Sequence, residues 1–309
     1  MTPTAAAPMK MMVLGGAGFV GSHLVDRLLA DGHFVDVADD LSTGSLSNLA
    51  AARSRGAGLR FHHLDVMSQE FTELVGLRQP DVIYHLAVLP PSATETAVAL
   101  HSVALMLAVL EAARLNGVRK IVIAVPAGLL YGEVPARSLP VKEGRPSTAI
   151  GVSHVMANTV IELLGVYRET HDIEFTALAL ANVYGPRQRA QDGVVGAFAS
   201  AIVDKRRPVQ FGTGKQTRDF VYIDDVSDAL ARASTKGGGL VINIGTGVQT
   251  SVESLWKTMA AGSTLQLRQE PARSGDLQRL AVSVARARIQ LGWKPWTSLS
   301  DGIDELLNR

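Results

Sequence analysis

Val13-Leu14-Gly15-Gly16-Ala17-Gly18-Phe19-Val20-Gly21-Ser22-His23 joins an apolar run to an amphipathic segment. Residues 11–14 read as a buried strand, and Leu24, Leu28 and Leu29 fall at helical spacing. In a strand–turn–helix context the three spaced glycines have separate jobs. Gly15 makes the sharp turn, Gly18 lets a pyrophosphate approach the backbone, and Gly21 lets the helix pack closely on the strand. The helix start then offers free N–H groups and a partial positive charge to the phosphates.

Working outward, residues 34–38 (FVDVA) form a second strand ending at Asp39-Asp40. That pair falls about 20 residues after the turn, where a dinucleotide fold carries its ribose ligand. An Asp39 carboxylate accepts hydrogen bonds from ribose hydroxyls and repels a 2′-phosphate, which favours NAD over NADP. The competing structural role is a cap on the loop 41–48 (LSTGSLSN). Residues 59–64 form a third strand whose end, Asp65-Val66, is placed to bracket the adenine, and residues 80–86 form a fourth. Residues 94–116 are helical, with Val103, Met106, Leu107, Leu110 and Ala113 along one side and Gly117 as the stop. A fifth strand (119–125), a Gly- and Pro-rich loop (126–147), a helix (151–171) and a sixth strand (175–180) follow.

This alternation predicts an α/β fold, a Rossmann-type doubly wound parallel sheet over residues 9–181. From Asn182 the elements shorten: helix over 194–204, extended chain at 209–211, a helix starting near Asp225 as N-cap, a strand at 240–244, and helices at 252–260 and 282–291. Residues 182–309 therefore read as mainly a smaller α/β substrate-binding lobe, interleaved with the first.

Composition narrows the function. Thirty Lys and Arg against 29 Asp and Glu give a net charge of +1, so nothing argues for a nucleic-acid or membrane partner. No run reaches the roughly 18 apolar residues of a membrane span, and the first eight residues lack the pattern of a signal peptide. The expectation is a cytoplasmic protein. With no cysteine in 309 residues, disulfides and thiolate chemistry are excluded. His62, His63 and His101 have no carboxylates at metal-ligand spacing, so no metal is expected.

The motifs GGAGFVGSHLVDRLL (15–29), DDLSTGSLSN (39–48), HLA (85–87), LEAARLNGVRKIV (110–122), NVYGPRQ (182–188), GTGKQTRDFVYIDDV (212–226), NIGTG (243–247) and GW (292–293) occur in this order along nearly the whole chain. In them the chain resembles extended short-chain dehydrogenases/reductases of the nucleotide-sugar epimerase and dehydratase type, close in pattern to UDP-glucose 4-epimerases. The resemblance implies NAD contacts at Gly15, Gly18, Phe19, Val20, Gly21, Asp39, Asp40, Ser42, Gly44, Asp65, Val66, Leu86, Ala87 and His154. For a nucleoside-diphosphate sugar it implies Ser92, Asn182, Arg218, Arg273 and Asp276. The two arginines suit a diphosphate because a guanidinium is permanently charged and offers several donors in a fixed fork. It also implies a homodimer through helices 94–116 and 151–171.

The chain departs from the family where the chemistry lies. A YxxxK pair and a Ser or Thr ordinarily exchange the substrate proton and hold the nicotinamide ribose. Aligned between Tyr131-Gly132 and NVYGPRQ, those three positions are Ile150, His154 and Ala127. His154 is the replacement acid/base candidate, because an imidazole titrates near neutrality; its alternative is a hydrogen bond to the nicotinamide ribose. Tyr131 is a second catalytic candidate, and Ser92, Ser153 and Glu133 line the expected cleft. His85, at the end of the fourth strand, reads as positional. Two functions follow: an NAD-dependent isomerase or lyase with non-standard acid/base chemistry, or a catalytically silent NAD and nucleotide-sugar binding protein with a structural or regulatory role.

Overall fold

The strand expected before the glycine turn is β1 (Lys10–Leu14), and its four apolar residues are fully buried. The computed structural model describes residues 7–56, 58–87, 96–261, 263–273 and 275–308, without the side chains of Val98 and Ala99. Beside β1 lie β2 (Phe34–Asp39), β3 (Leu59–His63), β4 (Val82–His85), β5 (Lys120–Pro126), β6 (Glu174–Leu180) and, after the short strands β7 (Asn182–Tyr184), β8 (Val209–Phe211), β9 (Thr217–Arg218) and β10 (Phe220–Tyr222), β11 (Leu240–Ile244). The seven-stranded sheet has the order β11-β6-β5-β4-β1-β2-β3, and every pairing in it is parallel. Strand side chains alternate between faces. Met11 and Val13 enter one core with Val122 and Ala124, and Met12 and Leu14 enter the other with Ile121 and Ile123. A parallel sheet covered on both faces explains why these strands are continuous apolar runs.

The helices are α1 (Phe19–Ala30), α2 (Ala50–Ser54), α3 (Gln69–Arg78), α4 (Thr96–Asn116), α5 (Ala127–Tyr131), α6 (Val152–His171), α7 (Val194–Val203), α8 (Ile223–Ala233), α9 (Val252–Met259), α10 (Ala285–Gln290) and α11 (Leu299–Leu306). α4 ends before Gly117, whose φ of +70° suits glycine. Its first two expected residues, Thr94 and Glu95, lie outside the described ones. Chain order makes the site: after β1 the sheet grows through β2 and β3, then returns with β4 on the other side of β1. The crevice beyond that reversal, at the carboxyl ends of the strands, is where such sheets take ligands.

β11, from the second half of the chain, belongs to the large sheet. Three expectations change. The loop 126–147 contains α5, because Ala127, Leu130 and Tyr131 bury one short helical face. The helix expected from Asp225 begins at Ile223. Asp225 does not cap it: its carboxylate accepts from the Trp296 and Thr297 amides and the Thr297 hydroxyl. The last segment, 282–291, is helical only over α10.

The second lobe has its own core of Tyr184, Val195, Phe198, Phe220, Tyr222 and Trp256, against which Phe19 and Val20 of α1 pack. Two further short strands, β12 (Thr250–Ser251) and β13 (Arg268–Glu270), pair with β9 and β8. The free side of β11 is covered by side chains: the Asn243 amide donates to Glu143 Oε1 at 2.9 Å, and Arg286 donates to the Val241 carbonyl at 2.8 Å.

Candidate active site

The turn after β1 is built so that no side chain fits at its tightest point. A Cβ on Gly21 would lie 2.2 Å from the Gly15 carbonyl oxygen, and Gly15 itself has φ +76°. Gly15 faces Leu86 and Ala87 after β4, with 3.3 Å from its would-be Cβ to the Ala87 amide. The sequence-predicted residues of the turn and of the HLA motif therefore meet. Among the described residues the amides of Phe19, Val20 and Gly21 find no backbone acceptor, whereas Ser22 donates to Gly18. This start of α1 offers N–H groups and positive potential to a pyrophosphate, so the residues present fit a dinucleotide.

Asp39 is buried at the end of β2. Its Oδ2 accepts from the Ala17 amide and its Oδ1 from the Leu41 amide, both at 2.8 Å. It thus caps the loop and also ties it to the glycine turn, and each oxygen keeps a second lone pair for ribose. Burial pushes its acid strength down, raising its pKa against those two donors. Asp40 is exposed and accepts from the amide and hydroxyl of Ser42, shaping the loop. Gly44 lies on Ala17, where a Cβ would come within 2.9 Å of backbone. Asp65 is exposed and accepts from the Met67 amide, a turn-capping contact, while Val66 is buried in the core beside it.

On the second lobe, Arg218 pairs with Asp276 (Nη2 to Oδ1, 3.1 Å), and Arg273 stacks 3.8 Å above the Phe211 ring. Asp276, expected among the nucleoside-diphosphate-sugar contacts, is thus also the counter-ion of Arg218. Asn182 begins β7, and its amide donates to the Asp219 carbonyl, next to Arg218. Ser92 lies outside the described residues. Sequence reasoning missed Asp219, which organises this group: its buried carboxylate accepts from the Thr246 amide and hydroxyl, the Gly247 amide and the Val282 amide. The signal was the motif pair RDF and NIGTG, whose mutual contact a linear reading does not reveal.

Ala127 is buried at the start of α5, Ile150 is 48% exposed, and His154 is 9% exposed in the first turn of α6. His154 Nδ1 is buried without a partner among the described residues, so Nε2 is the nitrogen open to a ligand. Burial lowers the His154 pKa, because desolvation disfavours the charged ring. Tyr131 is corrected: it is buried, and its hydroxyl donates to Asn243 Oδ1 at 2.6 Å, which removes it from the acid/base candidates. Glu133 accepts from the Gln278 amide. His85 is fully buried with both nitrogens unpartnered among the described residues, and desolvation lowers its pKa to about 3. His62 bonds Asp36, and His63 bonds the Asp40 carbonyl. Among the described residues no acidic and His group could hold a metal, and no helix is long and apolar enough to cross a membrane.

A glycine cradle at the switch point of a parallel sheet, capped by a β2 carboxylate and joined to a lobe carrying two arginines, defines a dinucleotide-dependent α/β protein. The model of the NAD dependent epimerase/dehydratase family matches residues 11–245. The chain belongs to that family, and NAD is its cofactor. It is 40% identical to a UDP-glucose 4-epimerase of Mycolicibacterium smegmatis, over 96% of each chain. Its fold matches UDP-glucose 4-epimerase from Thermotoga maritima with UDP-glucose (31% identity, TM-score 0.91, 97% of this chain and 98% of the other). It likewise matches the Thermus thermophilus UDP-glucose 4-epimerase complex with NAD (30% identity, TM-score 0.88, the same shares).

Proposed function

We propose that this chain is an NAD-dependent enzyme of nucleoside-diphosphate sugars, cytoplasmic and of the epimerase/dehydratase type, with His154 as its acid/base. The observation that carries this is the entry to α6, where Ile150, two residues ahead of the helix, presents only carbon and the imidazole of His154 in its first turn has one accessible nitrogen. Arg218 and Arg273 supply the charge for a diphosphate, and the relatives named above act on or bind UDP-glucose. Bound NAD supplies hydride acceptance and return. His154 takes a hydroxyl proton at Nε2 and gives it back; its burial-lowered pKa makes the ring a weaker base and favours the return.

The test follows UDP-glucose and UDP-galactose by NMR in deuterated water with the purified protein. Interconversion without deuterium at carbon is expected, because the hydride returns from NAD, and His154→Ala should reduce it by about 100-fold or more. Undiminished turnover in His154→Ala overturns the assignment. A second reading, a catalytically silent binding protein, is favoured by one feature: no described residue orients the His154 ring through Nδ1. NAD and UDP-sugar binding without any turnover would establish it.

The same reading includes a homodimer through α4 and α6. Leu107 and Leu115 on α4 and Val155 and Val166 on α6 are exposed, a larger apolar surface than covering the sheet requires. Light scattering should return twice the chain mass of 32.8 kDa.

A further inference from the structure

The loop after β7 crosses from the second lobe to the cofactor lobe and is fastened there at three points. His23 Nε2 bonds the Pro186 carbonyl at 3.0 Å, Arg187 Nη2 bonds Asp26 Oδ2 at 2.7 Å, and Arg189 Nη1 donates to the Thr43 carbonyl at 3.1 Å. Arg187 does so with φ +67°, a conformation uncommon for a non-glycine residue and typical of clamps held by their surroundings. The first two bonds reach α1. The third reaches loop 41–48, whose other side rests on the glycine turn: the Ser45 amide and Asn48 Nδ2 both donate to the Ala17 carbonyl.

We propose that Arg189 is a positioning residue for the cofactor: it holds loop 41–48 closed against the glycine turn, so that the second lobe sets how long NAD stays bound. Two features make Arg189 a rigid prop. Its guanidinium is gripped by both oxygens of Asp192 (Nε to Oδ2 2.9 Å, Nη2 to Oδ1 2.7 Å), which aims the remaining Nη1 at Thr43. Its carbonyl oxygen lies against the first turn of α7, where a Cβ on Gly196 would be 2.4 Å away. Val195 and Phe198 of that helix belong to the second-lobe core. A displacement of α7 therefore reaches Thr43 through two short contacts, without passing through the sheet.

The inference rests on NAD as cofactor, and its readout is retention of NAD rather than turnover. The NAD-loaded protein is separated from free NAD, and the fraction still bound is followed in time by extraction. Arg189→Ala should speed release by about three- to tenfold, the range expected for loss of one solvent-exposed hydrogen bond. Asp192→Asn, which leaves the arginine but loosens its aim, should speed release to a smaller degree. Arg206→Ala, which breaks an exposed pair with Asp204 elsewhere on the same lobe, should release at the parent rate. Urea midpoints close to the parent's in all three separate a cofactor effect from general destabilisation. Release at the parent rate in Arg189→Ala overturns the proposal. Should that variant fail to fold, parent-rate release in Asp192→Asn overturns it. A parent protein that retains no NAD would instead defeat the cofactor assignment on which the proposal stands.

Discussion

Tyr131 and Asn243, 112 positions apart in the chain, are joined by a buried hydrogen bond of 2.6 Å from the phenol to Oδ1. The amide's other end, Nδ2, donates to the Val141 carbonyl at 3.0 Å. Tyr131 is therefore a tether between α5 and β11. Tyr131→Phe should cost about 1–2 kcal/mol of stability by leaving Asn243 Oδ1 unpaired, measured as a shift in urea midpoint. Any turnover should stay within about twofold. A large loss of turnover at unchanged stability would return Tyr131 to the catalytic residues.

Asp39 holds the amides of Ala17 and Leu41 and is the ribose ligand expected at the end of β2. Asp39→Ala removes both acceptors and the charge. NAD affinity should fall by about tenfold or more, with NADP affinity falling less, so the preference between the two narrows. Titration of both cofactors checks this, and equal losses would contradict the role in selectivity.

His85 makes stability sensitive to acid. Its folded pKa of about 3 lies below the unfolded value near 6.5, so the unfolded chain binds the proton first as pH falls. The associated stability is complete above about pH 6.5 and is lost progressively toward pH 3, at no more than about 1.4 kcal/mol per pH unit. His85→Leu should shrink the stability difference between pH 7 and pH 5 by as much as about 2 kcal/mol, whatever its effect at pH 7. The same pH dependence in both proteins would show that the ring is not the responsible group.

Asp219 accepts four hydrogen bonds in a site without solvent, where burial raises its pKa and the donors oppose that rise. Asp219→Asn turns one acceptor oxygen into a donor facing other donors. A loss of about 3 kcal/mol is expected in denaturant unfolding. Because Arg218 is the preceding residue, UDP binding measured by calorimetry should weaken with it. An unchanged midpoint would mean that the loop 245–247 and Val282 are held by other contacts.

The parts of this molecule that are legible in sequence are those whose signal is local. Gly15, Gly18 and Gly21 announce the turn because only glycine fits where Gly21 nears the Gly15 oxygen. The parallel strands show themselves as apolar runs. Less legible were polar groups that find partners far along the chain. Asp225 has the spacing of an N-cap, yet Thr297 holds its carboxylate from 72 positions away. Tyr131 has a hydroxyl beside the expected cleft, yet Asn243 takes it. Asp276 is implied as a substrate contact, yet nothing local shows that Arg218 stands 3.1 Å away.

The covered side of β11 has a consequence for assembly. Glu143 and Arg286 occupy the outward amide of Asn243 and the outward carbonyl of Val241, the groups that an added strand would use for pairing. At that margin the sheet cannot template another chain, whether a sister molecule or an aggregating fragment. Along β11 the hydrogen-bond hunger of an edge strand is met from within the chain, so backbone zippering is closed off there.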